Sequence, residues 1–191
     1  QFRAGVLYVG ANDGMLHAFD ATTGDELFAY VPSTLLQPDP GDDFSPLSRL
    51  PDPNYSHRYF VDGTVSVVDM AFMGDDRTVL VGSLGAGGRA VFALDVSNPE
   101  SFTSGDVMWE FTHPELGYNV GQPAIVRISD GRMAAVFGNG YNSDSDRAML
   151  FVVDLDTGVQ TPLLTPNSEF IPYPRGSQIA ANEDTVFVIT I

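Results

Sequence analysis

The chain reads Val6-Leu-Tyr-Val-Gly-Ala-Asn-Asp-Gly-Met-Leu-His-Ala-Phe-Asp20 and then Ala-Thr-Thr-Gly24, and this stretch decides the fold. An apolar strand ends in Gly, a turn follows, a second apolar strand ends in Asp, and another turn closes the pattern. Asp13-Gly14 between two apolar runs is a strong hairpin signal, because both positions of a tight turn tolerate positive φ. The stretch therefore predicts an antiparallel hairpin, with a third strand over Leu27–Val31.

The same pattern occurs twice more along the chain. Thr78-Val-Leu-Val-Gly82 leads through a Gly-rich stretch to Val91-Phe-Ala-Leu-Asp95, and Ala135-Val-Phe-Gly138 leads through a polar loop to Leu150–Gly158. Gly82 and Gly138 are 56 residues apart, which is close to the blade-sized periods of propeller families, roughly 40–50 residues. A propeller blade is a small antiparallel sheet that its neighbours must cover, so the repeats predict several packed sheets.

Two four-stranded units follow from these patterns. Their strands are expected at Gly63–Val68, Thr78–Val81, Val91–Asp95 and Val107–Phe111, and then at Val120–Ile128, Met133–Phe137, Met149–Leu155 and Val159–Leu164. We predict an all-β fold, a partial β-propeller of four-stranded antiparallel blades in one incomplete domain, residues 1–191. The blade parts are expected at 1–31, 59–111, 120–164 and 177–191, with a loop insertion at 33–58.

Composition excludes several classes of protein. The 191 residues include 25 Asp and Glu but only 9 Lys and Arg, for a formal net charge of −16. Such a surface repels phosphate backbones, so we expect no nucleic-acid partner. Cysteine is absent, which excludes disulfides and thiolate metal sites, and no apolar run approaches the roughly 20 residues of a membrane-spanning helix. The chain begins Gln1-Phe-Arg and ends in the apolar run Val186–Ile191, so we expect a piece of a longer protein.

Ser33–Arg58 is a long insertion that contains five prolines. Proline removes ladder donors, so we expect a loop with one short helical turn near Ser33–Leu36. Six apolar or aromatic side chains stand among its acidic residues: Leu35, Leu36, Phe44, Leu47, Leu50 and Tyr55. Two interpretations stay open, since these side chains can form an apolar partner contact rimmed by charge or can fold back to cover a blade edge.

Asn142-Ser-Asp-Ser-Asp146 is the best metal candidate in the sequence. Asn142, Asp144 and Asp146 alternate, as the oxygen ligands of a hard cation do in a flexible loop. However, Arg147 stands where such a loop has Gly, and Val153 stands where it has the closing Glu. We therefore assign no metal site and keep the three residues as weak candidates, the alternative being a solvated polar hairpin loop.

No pattern in the sequence indicates catalysis. Gly82–Gly88 superficially resembles a phosphate loop, but Arg89–Asp95 after it is a strand and not the helix that such a loop needs. We expect a wide turn at a blade end. His17, His57 and His113 are scattered; His17 is expected to be packed or hydrogen-bonded, and His57 to anchor the insertion. We therefore predict neither catalytic nor cofactor-binding residues.

Three aspartates occupy equivalent places before turns, namely Asp20, Asp95 and Asp154. Aspartate side chains accept hydrogen bonds from backbone groups two residues on, so we predict turn anchors and not catalytic acids. Trp109 lies on an outer strand, where its bulk is expected to pack between neighbouring blades.

Four segments together resemble one family, and they occur in that family's order: Tyr8–Asp20, His57–Gly63, Thr78–Asp95 and Phe137–Asn142. They are similar to the C-terminal propeller of the PilY/PilC-type proteins of bacterial type IV pili. The resemblance implies a quinoprotein-like propeller in an exported, non-enzymatic protein of the periplasm, outer-membrane surface or pilus tip. The implied partners are minor pilins or other pilus components and a host or abiotic surface, and the implied roles are pilus assembly, retraction control and adhesion.

The resemblance also raises the question of a calcium site. The family binds calcium through an Asp-rich loop, which leaves calcium open for the full-length protein, but no Asp-x-Asp-x-Asp-Gly run follows Gly158 here. Two alternatives remain. One is a quinoprotein-dehydrogenase-like enzyme, which needs a central cofactor site with calcium ligands, and the other is a periplasmic scaffold propeller of the outer-membrane assembly type. The motifs at His57–Gly63 and Gly85–Arg89 favour the pilus family over both.

Overall fold

The computed structural model of the chain describes residues 5–38, 41–70, 76–118, 120–128, 130–160, 177–182 and 185–190. Within these ranges the chain forms twelve β-strands and no α-helix. The strands are β1 (Val6–Gly10), β2 (Leu16–Asp20), β3 (Glu26–Tyr30), β4 (Val65–Asp69), β5 (Thr78–Ser83), β6 (Val91–Asp95), β7 (Val107–Phe111), β8 (Ala124–Arg127), β9 (Met133–Gly138), β10 (Leu150–Asp154), β11 (Ser177–Asn182) and β12 (Thr185–Thr190).

Short 3₁₀ helices connect some of the strands: Ser33–Leu36, Pro46–Arg49, Gly85–Gly87, Pro99–Ser101 and Ser104–Asp106. The first of them confirms the helical turn that the sequence predicts at the start of the insertion. None of the helices in the described part of the chain has the length and apolar character needed to cross a membrane.

All strand pairs are antiparallel, and strands that follow each other in sequence are neighbours in space. Sheet I has the order β1-β2-β3, sheet II the order β4-β5-β6-β7 and sheet III the order β8-β9-β10. The hairpin of β11 and β12 lies with β11 against β8 and β9. The all-β partial propeller is thereby confirmed, and sheet II shows the complete four-stranded blade.

The central hairpins of the three sheets share one register. Each has five residue pairs, which run from Val6↔Asp20 to Gly10↔Leu16, from Val79↔Asp95 to Ser83↔Val91, and from Ala134↔Asp154 to Gly138↔Leu150. In sheet II the position that corresponds to Gly10 and Gly138 is therefore Ser83. The sequence pattern places Gly82 at this position, which is wrong by one residue. Gly82 serves packing instead, because a Cβ there would lie 2.6 Å from the ring of Phe92.

The central strands of sheet II, β5 and β6, are buried on both faces because another sheet lies on either side of sheet II. Successive side chains of a strand point to opposite faces, so Leu80 of β5 packs with Leu16 of sheet I, while Val79 and Val81 pack with Phe137 of sheet III. Leu80 and both valines are fully buried. Burial of one such side chain stabilises the fold by roughly 1.5–3 kcal/mol, so the two cores hold the three sheets face to face.

Trp109 of β7 joins sheet II to sheet III. Its indole Nε1 donates a hydrogen bond of 2.8 Å to the backbone oxygen of Leu155. The ring lies against Gly158, where a Cβ would come within 2.7 Å of the tryptophan side chain. The predicted position of Trp109 between neighbouring blades is therefore confirmed.

Strand bounds differ from the sequence prediction mainly in sheet III. β8 begins at Ala124 and not at Val120, because Pro123 has no N–H group for a ladder. The predicted fourth strand, Val159–Leu164, is represented by a single bridge at Gln160. Residues 161–164 lie outside the described ranges.

The three predicted turn anchors, Asp20, Asp95 and Asp154, all behave as expected. Each carboxylate accepts hydrogen bonds from backbone N–H groups two or three residues on, at 2.7 to 3.2 Å. Two such backbone donors lower the pKa of Asp20. Burial by itself raises the pKa of Asp154, but hydrogen bonds from Thr157 and Arg132 outweigh it, and the pKa is lowered. The lowered pKa favours the anionic form of Asp20 and Asp154, and all three aspartates hold their turns through backbone hydrogen bonds.

Candidate interaction surface

The loops of the three central hairpins and the links between successive sheets lie at one end of the strands. In an up-and-down sheet, the loop of the central hairpin and the link to the next sheet lie at the same end. Backbone hydrogen bonds hold these segments together, for example from Val61 N–H to Ala11 O at 3.3 Å and from Gly117 N–H to Asn139 O at 2.7 Å. We call this the loop end; it comprises the described residues of 11–15, 31–64, 84–90, 112–123 and 139–149.

Glu110 of β7 anchors the start of the insertion to sheet II. Its carboxylate accepts hydrogen bonds from the Tyr30 hydroxyl at 2.6 Å, from the Ser33 N–H and hydroxyl at 2.7 Å each, and from the Thr34 N–H at 3.3 Å. Burial, and then the hydrogen bond to Glu110, raises the pKa of Tyr30. No sequence pattern predicts this role, and the one signal for it is a charged residue within the apolar run Val107–Phe111.

Asn12 anchors the other end of the insertion to the hairpin turn of sheet I. Its Oδ1 accepts a hydrogen bond of 3.2 Å from the Phe60 N–H, and its Nδ2 lies 3.3 Å from His57 Nε2. The Tyr55 hydroxyl accepts a further bond of 3.0 Å from the Arg58 N–H. His57 thus has the anchoring position that the sequence predicts.

The six apolar and aromatic side chains of the insertion divide into two groups. Leu35 is buried, and Leu47, Leu50 and Tyr55 pack against the core between sheets I and II. Leu36 and Phe44 stay exposed, at 55% and 63% of their full surface. Four side chains of the insertion thus cover the sheets, as one interpretation expects, and two face outwards, where the partner-contact interpretation stays a prediction.

Two further aromatic side chains are exposed on segments of the loop end. Tyr59, beside the insertion, is exposed and makes an edge-to-face contact with the His57 ring at 5.0 Å. Tyr141 in the loop of sheet III is also exposed. Together with Leu36 and Phe44 they place four large apolar or aromatic side chains at one end of the sheets, on segments that hydrogen bonds hold in place.

The Gly-rich loop of sheet II is a packing element and not a phosphate site. Gly85–Gly87 forms one 3₁₀ turn, and strand β6 follows it, so no helix N-terminus is present to bind an anion. A Cβ at Gly87 would lie 1.8 Å from the Phe60 oxygen. Glycine is therefore required because the end of the insertion runs directly across this loop.

The weak metal candidates lie in a loop that is fixed to sheet II by an arginine. Arg89 Nη1 pairs with Asp144 Oδ1 at 2.7 Å, and its Nη2 donates to the backbone oxygen of Asn142. The same guanidinium lies over the Tyr118 ring, 5.6 Å from the centroid. Asn142 and Asp146 both have positive φ, near 58° and 54°. Among the described residues no group of three or more His, Asp or Glu side chains is placed to hold a metal ion.

His17 is held between two carboxylates on the outer face of sheet I. Its Nδ1 lies 2.5 Å from Glu26 Oε1, and its Nε2 lies 2.9 Å from Asp13 Oδ2. The hydrogen bond to Glu26 is the main cause that raises the pKa of His17; burial opposes the rise, and Asp13 adds to it. His113 is instead stacked with Phe111 and packed against Phe151. The three histidines do not meet in one site.

Comparison with known proteins agrees with this architecture. The family model described as the PilY1 β-propeller domain matches residues 1–164. A type IV pilus biogenesis factor PilY1 homolog from Xylella fastidiosa is 48% identical over 155 residues, which cover 80% of this chain and 10% of the relative. The type IV pilus biogenesis factor PilY1 of Pseudomonas aeruginosa strain UCBPP-PA14 is 43% identical over 169 residues, covering 85% of this chain and 14% of the relative.

A solved structure of the same family has a similar fold. The crystal structure of the Pseudomonas aeruginosa PilY1 C-terminal domain superimposes with a TM-score of 0.68 and 38% identity, and the match covers 94% of this chain and 34% of that one. The chain thus spans only a small part of the curated relatives and about a third of the solved domain. On the family model, the relatives and the shared fold, the chain belongs to the PilY1 β-propeller domain family.

Proposed function

We propose that the loop end is a protein-docking surface of a type IV pilus biogenesis factor, and that this domain is not an enzyme. The observation that carries the proposal is that four exposed apolar or aromatic side chains, Leu36, Phe44, Tyr59 and Tyr141, lie on anchored loops at one end of the strands. Aromatic and aliphatic side chains surrounded by polar groups are typical of the centre of a protein interface. The names of the relatives supply the pilus context.

The anchoring of the loops favours binding over a merely solvated role. Glu110 holds the first turn of the insertion, and Asn12 holds its end, so Leu36 and Phe44 extend from a segment that is already ordered. A pre-organised surface loses less conformational entropy when a partner binds. The net charge of −16 favours a partner whose contact face is basic or neutral.

The finer parts of the proposal follow from the pilus context. We propose pilus components, in particular minor pilins, as the partners, and an exported location in the periplasm, at the outer-membrane surface or at the pilus tip. Retraction control and attachment to host or abiotic surfaces belong to the same proposal. We also propose that residues 1–191 form part of one propeller domain. Bound quinone in the purified full-length protein, seen by absorbance and mass spectrometry, would instead favour the dehydrogenase alternative.

Serine substitutions test the docking surface in the full-length protein. We expect Phe44→Ser combined with Leu36→Ser to reduce piliation and surface attachment while the melting temperature stays unchanged, because both side chains are exposed. Val159→Ser is the matched control, since Val159 is 62% exposed in a turn at the opposite end of the strands. Normal piliation and attachment in the double variant would contradict the proposal, as would an equal loss in the control.

A further inference from the structure

The end of the insertion, residues 56–60, lies against the hairpin turn of sheet I without strand pairing. His57 in this segment is exposed; its Nε2 lies 3.3 Å from Asn12 Nδ2, and its ring makes the edge-to-face contact with Tyr59 at 5.0 Å. Among the residues that the structure describes, no carboxylate forms an ion pair with His57. The contact with Asn12 therefore connects this side chain to the turn.

The orientation of the Asn12 amide is fixed by a second hydrogen bond. Asn12 Oδ1 accepts the Phe60 N–H at 3.2 Å, so Nδ2 is the atom that faces His57. A flipped amide would set two donors, Nδ2 and the Phe60 N–H, against each other. Because an amide nitrogen only donates, His57 Nε2 has to accept, which requires the neutral ring with its proton on Nδ1.

A proton on His57 Nε2 therefore removes the contact. Both nitrogens of an imidazolium are donors, so Nε2 would face the Asn12 amide group as a second donor. Histidine is the side chain whose ordinary change of charge falls between about pH 5 and 8, and the exposed ring of His57 is open to protons from the solvent. The contact thus depends on pH in a range that proteins commonly meet.

The charged groups nearby do not replace the lost contact. The ionisable residues on the adjoining segments are Asp13, His17, Tyr55, Arg58, Tyr59 and Asp62. Asp13 already accepts hydrogen bonds from His17 Nε2 at 2.9 Å and from the Met15 N–H at 3.0 Å. Arg58 is itself positive and disfavours a second positive charge beside it. His17 has the opposite preference to His57, since two carboxylates bind its ring and favour the charged form.

We propose that the contact between Asn12 and His57 is a pH-sensitive latch, which holds the end of the insertion on the hairpin turn while His57 is neutral and releases it when His57 takes up a proton. Release is confined to residues 56–60, because the hydrogen bond from Val61 N–H to Ala11 O and the packing of Tyr55 do not involve the ring. Tyr59 lies within this stretch, so the loop end changes locally with pH. No partner takes part in the latch, and it is tested without one.

Hydrogen exchange of the full-length protein, at about pH 7.5 and about pH 5.5, tests the latch. Rates are corrected for the intrinsic effect of pH, and the peptides of β5, which is paired on both edges, serve as the internal standard. We expect the protection of residues 56–60 relative to β5 to fall roughly two- to tenfold at the lower pH, as the loss of one net hydrogen bond predicts. Unchanged protection would overturn the proposal.

Two substitutions separate the protonation of His57 from other effects of acid. His57→Gln offers an acceptor, Oε1, that does not titrate, so the pH dependence should vanish. Asn12→Asp keeps the acceptor for the Phe60 N–H but faces His57 with a carboxylate oxygen, so the contact now needs the charged ring and protection should rise at the lower pH. His17→Gln is the control and should behave as the native protein. A pH dependence that persists in His57→Gln, or that keeps its sign in Asn12→Asp, would overturn the proposal.

Discussion

Two glycines that both have positive φ provide a test of whether the insertion packs against sheet I. Gly14 and Gly24 both have positive φ, 96° and 79°. A Cβ at Gly14 would lie 2.3 Å from Leu47 Cδ2, whereas a Cβ at Gly24 would have no atom within 4 Å. Alanine at either position therefore introduces the same kind of backbone strain, but only at position 14 does it meet the insertion.

The expected magnitudes follow from these two contributions. An alanine in the left-handed region costs roughly 1–2 kcal/mol, so we expect Gly24→Ala to lower the free energy of unfolding by about that amount. Gly14→Ala bears the same strain and also displaces the Leu47 side chain, and overpacking of this kind adds roughly 1–3 kcal/mol. The difference between the two variants measures the contact between hairpin turn and insertion.

Urea unfolding followed by the fluorescence of Trp109, the only tryptophan of the chain, provides the assay. Leu47→Ala serves as the partner variant. In its background the cost of Gly14→Ala should fall to that of Gly24→Ala, which gives a coupling of roughly 1–3 kcal/mol in the double-mutant cycle. Equal effects of Gly14→Ala and Gly24→Ala, or additive effects in the cycle, would refute the placement of Leu47 over the turn.

Four further predictions concern Glu110, Tyr30, His17 and calcium binding. Glu110→Ala removes the acceptor of the Tyr30 hydroxyl and the first turn of the insertion, and should lower the urea-unfolding free energy by roughly 2–4 kcal/mol; an unchanged midpoint contradicts this. The raised pKa of Tyr30 keeps it protonated in the folded state, so alkaline titration should show stability falling above about pH 10. The raised pKa of His17 gives stability that is complete below about pH 6.5 and lost as pH rises through the folded pKa; NMR titration should show the shift, and His17→Gln should remove the pH dependence. Calorimetry should show no saturable calcium site, and a site lost in Asp144→Ala would contradict that.

The fold could be predicted because local signals and repeat signals agree. Asp13-Gly14 predicts the first hairpin, and the recurrence of Asp20, Asp95 and Asp154 before turns predicts its copies. The predicted end of the first hairpin strand in sheet II is wrong by one residue. Gly82 and Gly138 both end an apolar run, which aligns them in the sequence, but glycine at position 82 is required by the Phe92 ring and not by the strand end.

The arrangement of the loop end could be predicted only in part. Prolines indicate that the insertion is irregular, but they carry no periodicity that could assign Leu47 to the core and Phe44 to the surface. Glu110 could be noticed as a charge within an apolar strand, yet its partner Ser33 is 77 residues away in sequence. Long-range partners of this kind depend on how the sheets stack, and no local pattern contains that information.

The shared register also explains how the hairpin loops of the loop end can differ in length without disturbing the strands. The three central hairpins keep five residue pairs each, although their loops differ in length: 11–15, 84–90 and 139–149. Asp20, Asp95 and Asp154 fix the second strand of each hairpin at its far end, so residues added to a hairpin loop extend the loop without shifting a strand. A shift of one residue would turn every core side chain of the strand to the wrong face. The loop end can therefore acquire new contacts at little cost to the cores, which is the physical reason to place partner binding there.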